Sequence, residues 1–99
     1  MTKTIGALSL ALGAGKLAVG FIATKESVLQ RKACLVVFAS DIADGTLKKA
    51  LRFVGDIPYV KMPFSEDDIE TVMKRRFVIV AINDMNFRRL FLKAFKEDI

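Results

Sequence analysis

The sequence predicts an α/β fold, a three-layer α-β-α sandwich. Two segments, Cys34–Ala39 (CLVVFA) and Phe77–Ile82 (FVIVAI), are continuously apolar and rich in strand-forming residues, which is typical of strands covered on both faces. Segments with helical patterning precede, separate and follow them. Because a doubly covered sheet needs helices on both sides, this order predicts a helical layer on each face. The chain has 99 residues, 53% of them apolar, so we expect one domain over residues 1–99.

Glycines and apolar spacing define the elements of the first third of the chain. A helix over Thr4–Leu12 has Ile5, Leu8 and Leu12 on one face, and the GAG turn that follows ends it. Lys16–Val19 then forms a short strand. A second helix over Gly20–Gln30 has a less regular pattern. The side chains that we expect this helix to bury are Ile22, Val28 and Leu29.

The middle of the chain predicts a helix, a strand and another helix. Asp44 or Thr46 caps a helix that extends to Val54, and a turn leads from it to a short strand over Pro58–Met62. Ser65 begins the next helix, which has acidic residues in its first turn and basic residues at its end, as the helix dipole favours. The core stripe expected for the first of these helices is Leu47, Ala50, Leu51 and Val54.

The last helix has a strong amphipathic pattern. It follows the strand over Phe77–Ile82, and Asn83 or Asp84 caps it. Its apolar residues recur with the spacing of one helical face. They are Phe87, Leu90, Phe91, Ala94 and Phe95. The exposed side of the helix is expected to carry Arg88, Arg89, Lys93 and Lys96.

The glycine-rich segment Leu12–Gly20 (LGAGKLAVG) is not a nucleotide-binding motif. A phosphate-binding P-loop would need glycine at Leu10 and serine or threonine at Leu17. The dinucleotide-binding pattern would need its third glycine at Ala18. Neither of these nucleotide-binding folds is therefore predicted.

The stretch from Ile5 to Ala23 is the one candidate for a signal peptide or a membrane span, because it is mostly apolar. Lys16 lies near its centre, where a charge costs about 3 kcal/mol on insertion, and glycines interrupt the helix. A helix, a turn and a strand explain the stretch better. We therefore expect a soluble, cytoplasmic protein without a membrane partner.

Composition favours a polyanionic partner and disfavours catalysis. The net charge is +5, which favours nucleic acid or an anionic membrane surface. The chain has no histidine and one cysteine, Cys34, which lies in an apolar run and is expected to be buried and inert. The helix dipole explains the acidic run at 66–70 better than a metal ion does. We therefore expect no enzyme activity, no cofactor, no metal site and no small-molecule substrate.

Three segments carry a resemblance to a known family. They are Leu12–Gly20, Ala33–Leu51 (ACLVVFASDIADGTLKKAL) and Ile57–Pro63 (IPYVKMP), followed by a short helix and the strand FVIVAI. In this order they resemble the ribosomal protein L-seven-Ae and L-thirty-e family, and in particular its small bacterial members encoded near translation-factor genes. The resemblance implies an α-β-α sandwich with a mixed four-stranded sheet. Many members of the family bind kink-turns, which are sharply bent internal loops in RNA.

The start of the second helix departs from the family's kink-turn pattern. In members that recognise kink-turns, the first four positions of this helix are Gly, then Thr, then Asn or Lys, then Glu or Gln. These members also have Lys six residues after the Gly. Here the run is Gly20–Ala23 (GFIA), and the lysine position is Glu26, with Lys25 one residue earlier. The base-reading residues are therefore missing. The helix start could still hold a phosphate, and Phe21 could stack on an unpaired base. The other interpretation is that Phe21 and Ile22 are buried or contact a protein partner.

The resemblance implies a second RNA contact in the loop before the last strand. The Leu-Gly step that precedes this loop in the family is Ile69-Glu70 here. The shortened loop is basic, and a solvated surface without a ligand is its other interpretation. The RNA-contacting residues that we expect from both regions are Gly20, Phe21, Ile22, Lys25, Lys74, Arg75 and Arg76.

Two hypotheses of function agree with these features, and a third is weak. The first is a non-catalytic RNA-binding protein, ribosomal or ribosome-associated, which contacts structured RNA mainly through its backbone and has ribosomal proteins as neighbours. The second is a protein-interaction module on the same fold that has lost kink-turn recognition, with Phe21 and Ile22 as an exposed apolar patch. An enzyme is the third hypothesis and has the least support.

Overall fold

The computed structural model describes residues 3–98, so residues 1, 2 and 99 of the predicted domain lie outside the described part. Helices alternate with strands in the predicted order. The elements are α1 (Lys3–Gly13), β1 (Leu17–Val19), α2 (Phe21–Leu29), β2 (Leu35–Phe38), α3 (Asp44–Val54), β3 (Tyr59–Lys61), α4 (Glu66–Met73), β4 (Ile79–Ile82) and α5 (Met85–Asp98). Each strand is one or two residues shorter than predicted. The ends of the central run stay attached to the sheet, since Cys34 N donates to Ile82 O at 2.7 Å and Ala39 N to Val78 O at 2.9 Å.

The four strands form one sheet in the order β1-β4-β2-β3. β4 pairs antiparallel with both β1 and β2, whereas β2 pairs parallel with β3. Every residue of β2 and β4 is buried, and the edge strands are partly exposed. The two doubly covered central strands and the mixed four-stranded sheet are therefore confirmed.

Helices cover both faces of this sheet. Leu35 and Val37 of β2 pack into a core formed with α1, α4 and α5. Val36 and Phe38, which alternate with them, pack into a second core formed with α2 and α3. The predicted three-layer α-β-α sandwich is confirmed, with three helices in one layer and two in the other.

The helix α2 does not bury the residues that the sequence predicted. Ile22 and Leu29 are 74% and 66% exposed, and Val28 alone of the three expected residues packs partly against the core. The buried side chains of α2 are Thr24 and Ser27. Thr24 and Ser27 lie on the buried face of the helix, and Ile22 and Leu29 lie on the opposite, exposed face.

The start of α3 also differs from the prediction. Ala43 is its N-cap and makes no side-chain capping bond. Asp44 is the first helical residue and Thr46 lies within the helix, so neither of the predicted caps is correct. Leu51, expected in the core stripe, is exposed because it lies at the edge of that stripe.

The predicted caps of α4 and α5 are confirmed. Ser65 forms a capping box with Asp68, in which each side chain accepts a hydrogen bond from the backbone N–H of the other residue. Of the two candidates for α5, the cap is Asp84. Its Oδ1 accepts hydrogen bonds from Asn86 N at 2.8 Å and from Phe87 N at 3.2 Å.

The mostly apolar stretch that begins at Ile5 folds as a helix, a turn and a strand, as predicted. Gly15 has a φ of 72° in the turn, and Lys16 N donates to Ala11 O at 2.9 Å. In the described residues no helix combines the length and the apolar character needed to span a membrane.

Asp98, near the end of α5, holds the first described turn of α1. Its Oδ2 accepts hydrogen bonds from Thr4 N at 2.7 Å and Thr4 Oγ1 at 2.6 Å, and its Oδ1 accepts from Lys3 N at 3.3 Å. These bonds lower the pKa of Asp98. Lys3 Nζ lies 2.8 Å from Glu97 Oε2, and this pairing raises the pKa of Lys3 and lowers that of Glu97.

Two side chains around the start of β2 are placed differently from the prediction. Cys34 is only partly buried, because it precedes the strand and is not inside it. Arg88, expected on the exposed side of α5, is half-buried and donates from Nη1 to Cys34 O at 3.3 Å. It fixes α5 to the chain that enters the central strand.

Candidate functional site

The two regions expected to contact RNA are neighbours in the structure. Gly20, the residue before α2, donates from its N–H to the carbonyl of Ile79 at 2.9 Å. Gly20 has a φ of 97°, a conformation that favours glycine. The basic loop ends at Arg76, three residues before Ile79, so its end lies within about 10 Å of that carbonyl along the backbone. The start of α2 and the loop before β4 therefore share one end of the sheet.

The first turn of α2 is open to an anion. The first intrahelical bond runs from Thr24 N to Gly20 O at 3.0 Å, and Gly20 supplies no side-chain cap. The preceding backbone amides thus point out of the positive end of the helix dipole. Such a helix start accepts a phosphate group.

A basic groove lies between α2 and α3, and we call it the α2–α3 groove. Its volume is about 300 Å³. The residues that line it are Phe21, Lys25, Lys49, Arg52 and Phe53. The two phenylalanine rings meet edge to face, with centroids 5.4 Å apart and an interplanar angle of 87°. Within residues 3–98 none of the three cations forms an ion pair, so their charges are available to a ligand.

The sequence predicted only two of the residues that line the α2–α3 groove. Phe21 and Lys25 were predicted, whereas Lys49, Arg52 and Phe53 were not. The signal for the missed residues is their spacing: positions 49, 52 and 53 are i, i+3 and i+4, which share one helical face. What the sequence does not show is that this face lies opposite the start of α2.

Ile22 does not join the other predicted residues of α2. It is absent from the lining of the α2–α3 groove, and it lies seven residues before Leu29. Two residues at that spacing share one helical face. Both are exposed, and together they form an apolar stripe along α2.

Arg76, in the loop before β4, is surrounded by carboxylates. Its guanidinium lies 2.7 Å from Asp67 Oδ1, 2.9 Å from Glu70 Oε1 and 3.0 Å from Glu66 Oε1. The hydrogen bonds that Arg76 donates to Asp67 and Glu70 raise its pKa above the ordinary value. The acidic run therefore does more than match the helix dipole, because it also neutralises Arg76.

The other two basic residues of that loop differ in their freedom. Lys74 has a φ of 59° at the end of α4, and its Nζ donates to Thr71 O at 3.2 Å. Arg75 is exposed and has no polar partner among residues 3–98. Three cations here lie beside four carboxylates, at 66, 67, 68 and 70. The unpaired positive charge is therefore greater at the α2–α3 groove than at this loop.

A second, larger groove lies in the other helical layer, between α1 and α5. Its volume is about 590 Å³. The residues that line it are Lys3, Gly6, Ala7, Leu10, Leu90, Lys93, Ala94 and Glu97. Its floor is apolar and its charged rim includes the Lys3–Glu97 ion pair.

Comparisons with known proteins identify the fold. No family model matches the chain, and no curated protein has significant sequence similarity to it. In structure, 97% of the chain matches 84% of the Giardia lamblia 15.5 kD RNA-binding protein, with a TM-score of 0.68 and 17% identity. The two proteins share one fold. A Bacillus halodurans protein of unknown function also matches, with a TM-score of 0.85 and 23% identity over 97% of this chain and 99% of that one.

The shared fold agrees with the sequence resemblance. The mixed four-stranded sandwich that the sequence resemblance implied is the fold that this chain shares with the Giardia lamblia protein. The match with the Bacillus halodurans protein covers almost all of both chains, so the two chains have nearly the same length. The fold is therefore assigned from structure, where sequence comparison finds no match.

Proposed function

We propose that this protein is a non-catalytic RNA-binding protein that contacts structured RNA mainly through the phosphate backbone. The observation that carries the proposal is the open first turn of α2, which lies at the same end of the sheet as the loop that carries Arg75. It lies beside Lys25, which has no ion pair within residues 3–98. The net charge of +5 and the shared fold with the Giardia lamblia RNA-binding protein support it.

Contact with the backbone, and little reading of bases, is the binding mode that these residues favour. Amides and cations bind phosphates whatever the sequence. Phe21, Ile22 and Ala23 have no side-chain donor or acceptor that could read a base edge. A ribosomal or ribosome-associated role in the cytoplasm, next to ribosomal proteins, is part of the proposal and comes from the sequence resemblance.

The test is a salt-dependent titration with a structured RNA. Replacing Lys25 and Arg75 together by alanine should lower affinity and reduce the slope of log K against log salt by about 1.4–1.8, since each phosphate contact contributes about 0.7–0.9. The matched control is Lys93→Ala with Lys96→Ala, which removes two charges from α5 in the other layer.

The control should leave the slope almost unchanged. An equal loss in both double variants would mean that the basic protein attracts RNA without a defined site, which contradicts the assignment to α2. A wild-type protein that binds no structured RNA would contradict the function itself.

The alternative function is a protein-interaction module. The observation that favours it is the stripe of Ile22 and Leu29, since exposed apolar side chains at helical spacing are typical of contacts with a partner. The double variant Ile22→Ser with Leu29→Ser separates the two functions. If α2 binds RNA, the affinity for RNA should be unchanged in this variant. If α2 binds a protein through the stripe, recovery of that protein partner should be lost.

A further inference from the structure

We propose that the α2–α3 groove binds a single unstacked nucleotide of an RNA strand. The base lies against the Phe21–Phe53 pair, and the flanking phosphates lie on Lys25, Lys49 and Arg52. This inference rests on the proposed RNA binding and goes beyond it, because it assigns a site on α3 and a contact to a base.

The pair of aromatic rings in the groove is the first observation behind this inference. Phe21 and Phe53 are only partly buried, and both line the groove. A partly exposed pair of phenyl rings presents apolar surface on which a base can stack. Base–aromatic stacking accepts any of the bases, because each base has a π-face.

The charge around the rings is the second observation. Lys25 comes from α2, and Lys49 and Arg52 come from α3, so the rings lie between cations on both sides. These cations have no ion pairs within residues 3–98. Stacking surfaces interleaved with cations that follow a backbone are the chemistry of single-strand binding.

The size of the groove indicates how much of a strand it accepts. Its volume of about 300 Å³ is at the lower end of the range of about 300–1,000 Å³ for ligand pockets. This suits one nucleotide. The nucleotide must be unpaired, because the bases of a duplex are stacked on both faces and offer none to the rings.

A strand suits the groove better than a free nucleotide does. Its five lining residues include no side chain that accepts a hydrogen bond from a base or a ribose. A strand adds a neighbouring phosphate, which can reach the amides at the start of α2 next to Phe21. Affinity should therefore come from several weak contacts along the strand.

The first experiment uses Phe53→Trp, since the chain has no tryptophan of its own. A short oligouridylate should quench the fluorescence of this single reporter. A duplex of equal length should leave it unchanged. Free uridine monophosphate should act only at concentrations at least about a hundredfold higher, because it lacks the linked contacts.

The second experiment separates stacking from charge. Phe53→Leu and Phe21→Leu, each checked for an unchanged thermal transition, should weaken binding of the oligouridylate to the protein by about tenfold without changing the salt slope. Lys49→Ala with Arg52→Ala should reduce that slope by about 1.4, for two phosphate contacts at about 0.7 each on single strands. The control is Lys48→Ala, which removes one charge from an exposed residue of α3 that does not line the groove and should leave the slope unchanged.

The outcomes distinguish this inference from the proposed function. If the reporter is not quenched and the leucine variants bind as the wild type does, while structured RNA still binds, the groove assignment is wrong and the function stands. If the oligouridylate binds through the groove and structured RNA does not bind, the groove assignment stands and the function fails. If neither RNA binds, the groove assignment and the proposed function both fail. If uridine monophosphate binds as tightly as the oligouridylate, the assignment of the groove to a strand is wrong.

Discussion

Lys25 and Arg76 show how the surroundings of a single residue decide what its charge can do. Arg76 lies within 3.0 Å of three carboxylates, whereas Lys25 has no ion pair in the described part of the chain. The sequence predicted both as RNA contacts, because it shows the charge of a residue and not the neighbours that neutralise it. Of the two, the structure leaves Lys25 as the one able to bind phosphate.

The run Gly20–Ala23 leads to a prediction about selectivity. Because the side chains of Phe21, Ile22 and Ala23 have no donor or acceptor for a base edge, affinity for a kink-turn RNA should exceed that for a straight duplex of equal length by less than about tenfold, or about 1.4 kcal/mol. Gel-shift titration of both RNAs at one salt concentration measures this ratio. A preference of several hundredfold would show that this helix start recognises the kink-turn.

At the scale of elements, a strong apolar pattern predicted burial well and a weak one did not. Of the five apolar residues predicted for α5, Phe91 and Ala94 are buried, Phe87 and Phe95 are partly buried, and Leu90 is exposed. All residues of β2 and β4 are buried as expected. In α2 the buried residues are Thr24 and Ser27, which hydropathy assigns to solvent. Ser27 Oγ donates to Asn83 Oδ1 at 2.5 Å, so a polar contact with the end of β4 takes the place of an apolar one.

The capping box of α4 gives a prediction at this scale. Ser65→Ala removes the side-chain oxygen that accepts from Asp68 N at 3.1 Å, and should lower the free energy of unfolding by about 1 kcal/mol. Urea unfolding measures the difference. Ser40→Ala is the control, because Ser40 is exposed and its side chain has no hydrogen bond within residues 3–98; an equal effect of the two substitutions would contradict the role of the cap.

For the whole molecule, the sequence predicted the layers but not the surfaces between helices. The alternation of elements was enough for a three-layer sandwich. The α2–α3 groove joins Phe21 to Phe53, and no local pattern brings together residues so far apart in the chain. Their approach depends on which helices share a face of the sheet, and therefore on the strand order.

The contact between α1 and α5 predicts a pH dependence of stability. The pKa of Asp98 is lower in the folded protein than its ordinary value of 3.8, chiefly through the hydrogen bonds from Thr4. The charge of Asp98 therefore stabilises the fold above that value, and this contribution is lost as the pH falls through the folded pKa. Asp98→Asn should lower the thermal midpoint at neutral pH, and the difference from the wild type should shrink below about pH 4.

Thermal unfolding followed by circular dichroism at several pH values checks this. Asp56→Asn is the control, since Asp56 is exposed and has no partner within residues 3–98. The difference in thermal midpoint between Asp98→Asn and the wild type should shrink as the pH falls. If it stays constant to pH values below the folded pKa of Asp98, the stated role of the carboxylate is contradicted.

The position of β4 between β1 and β2 has a consequence for the order in which the chain folds. In the described residues β1 pairs with β4 alone, and β4 lies about sixty residues later in the sequence. Until residues 79–82 enter the sheet, β1 has no neighbouring strand. Both helical layers then lack two of the four strands against which they pack. We therefore expect folding to be all-or-none and slower than for a helical bundle of this size, because it begins with the closure of a long loop. During synthesis, we expect the apolar segments of the chain to stay exposed as long as β4 has not left the ribosome. Their burial depends on the last third of the sequence.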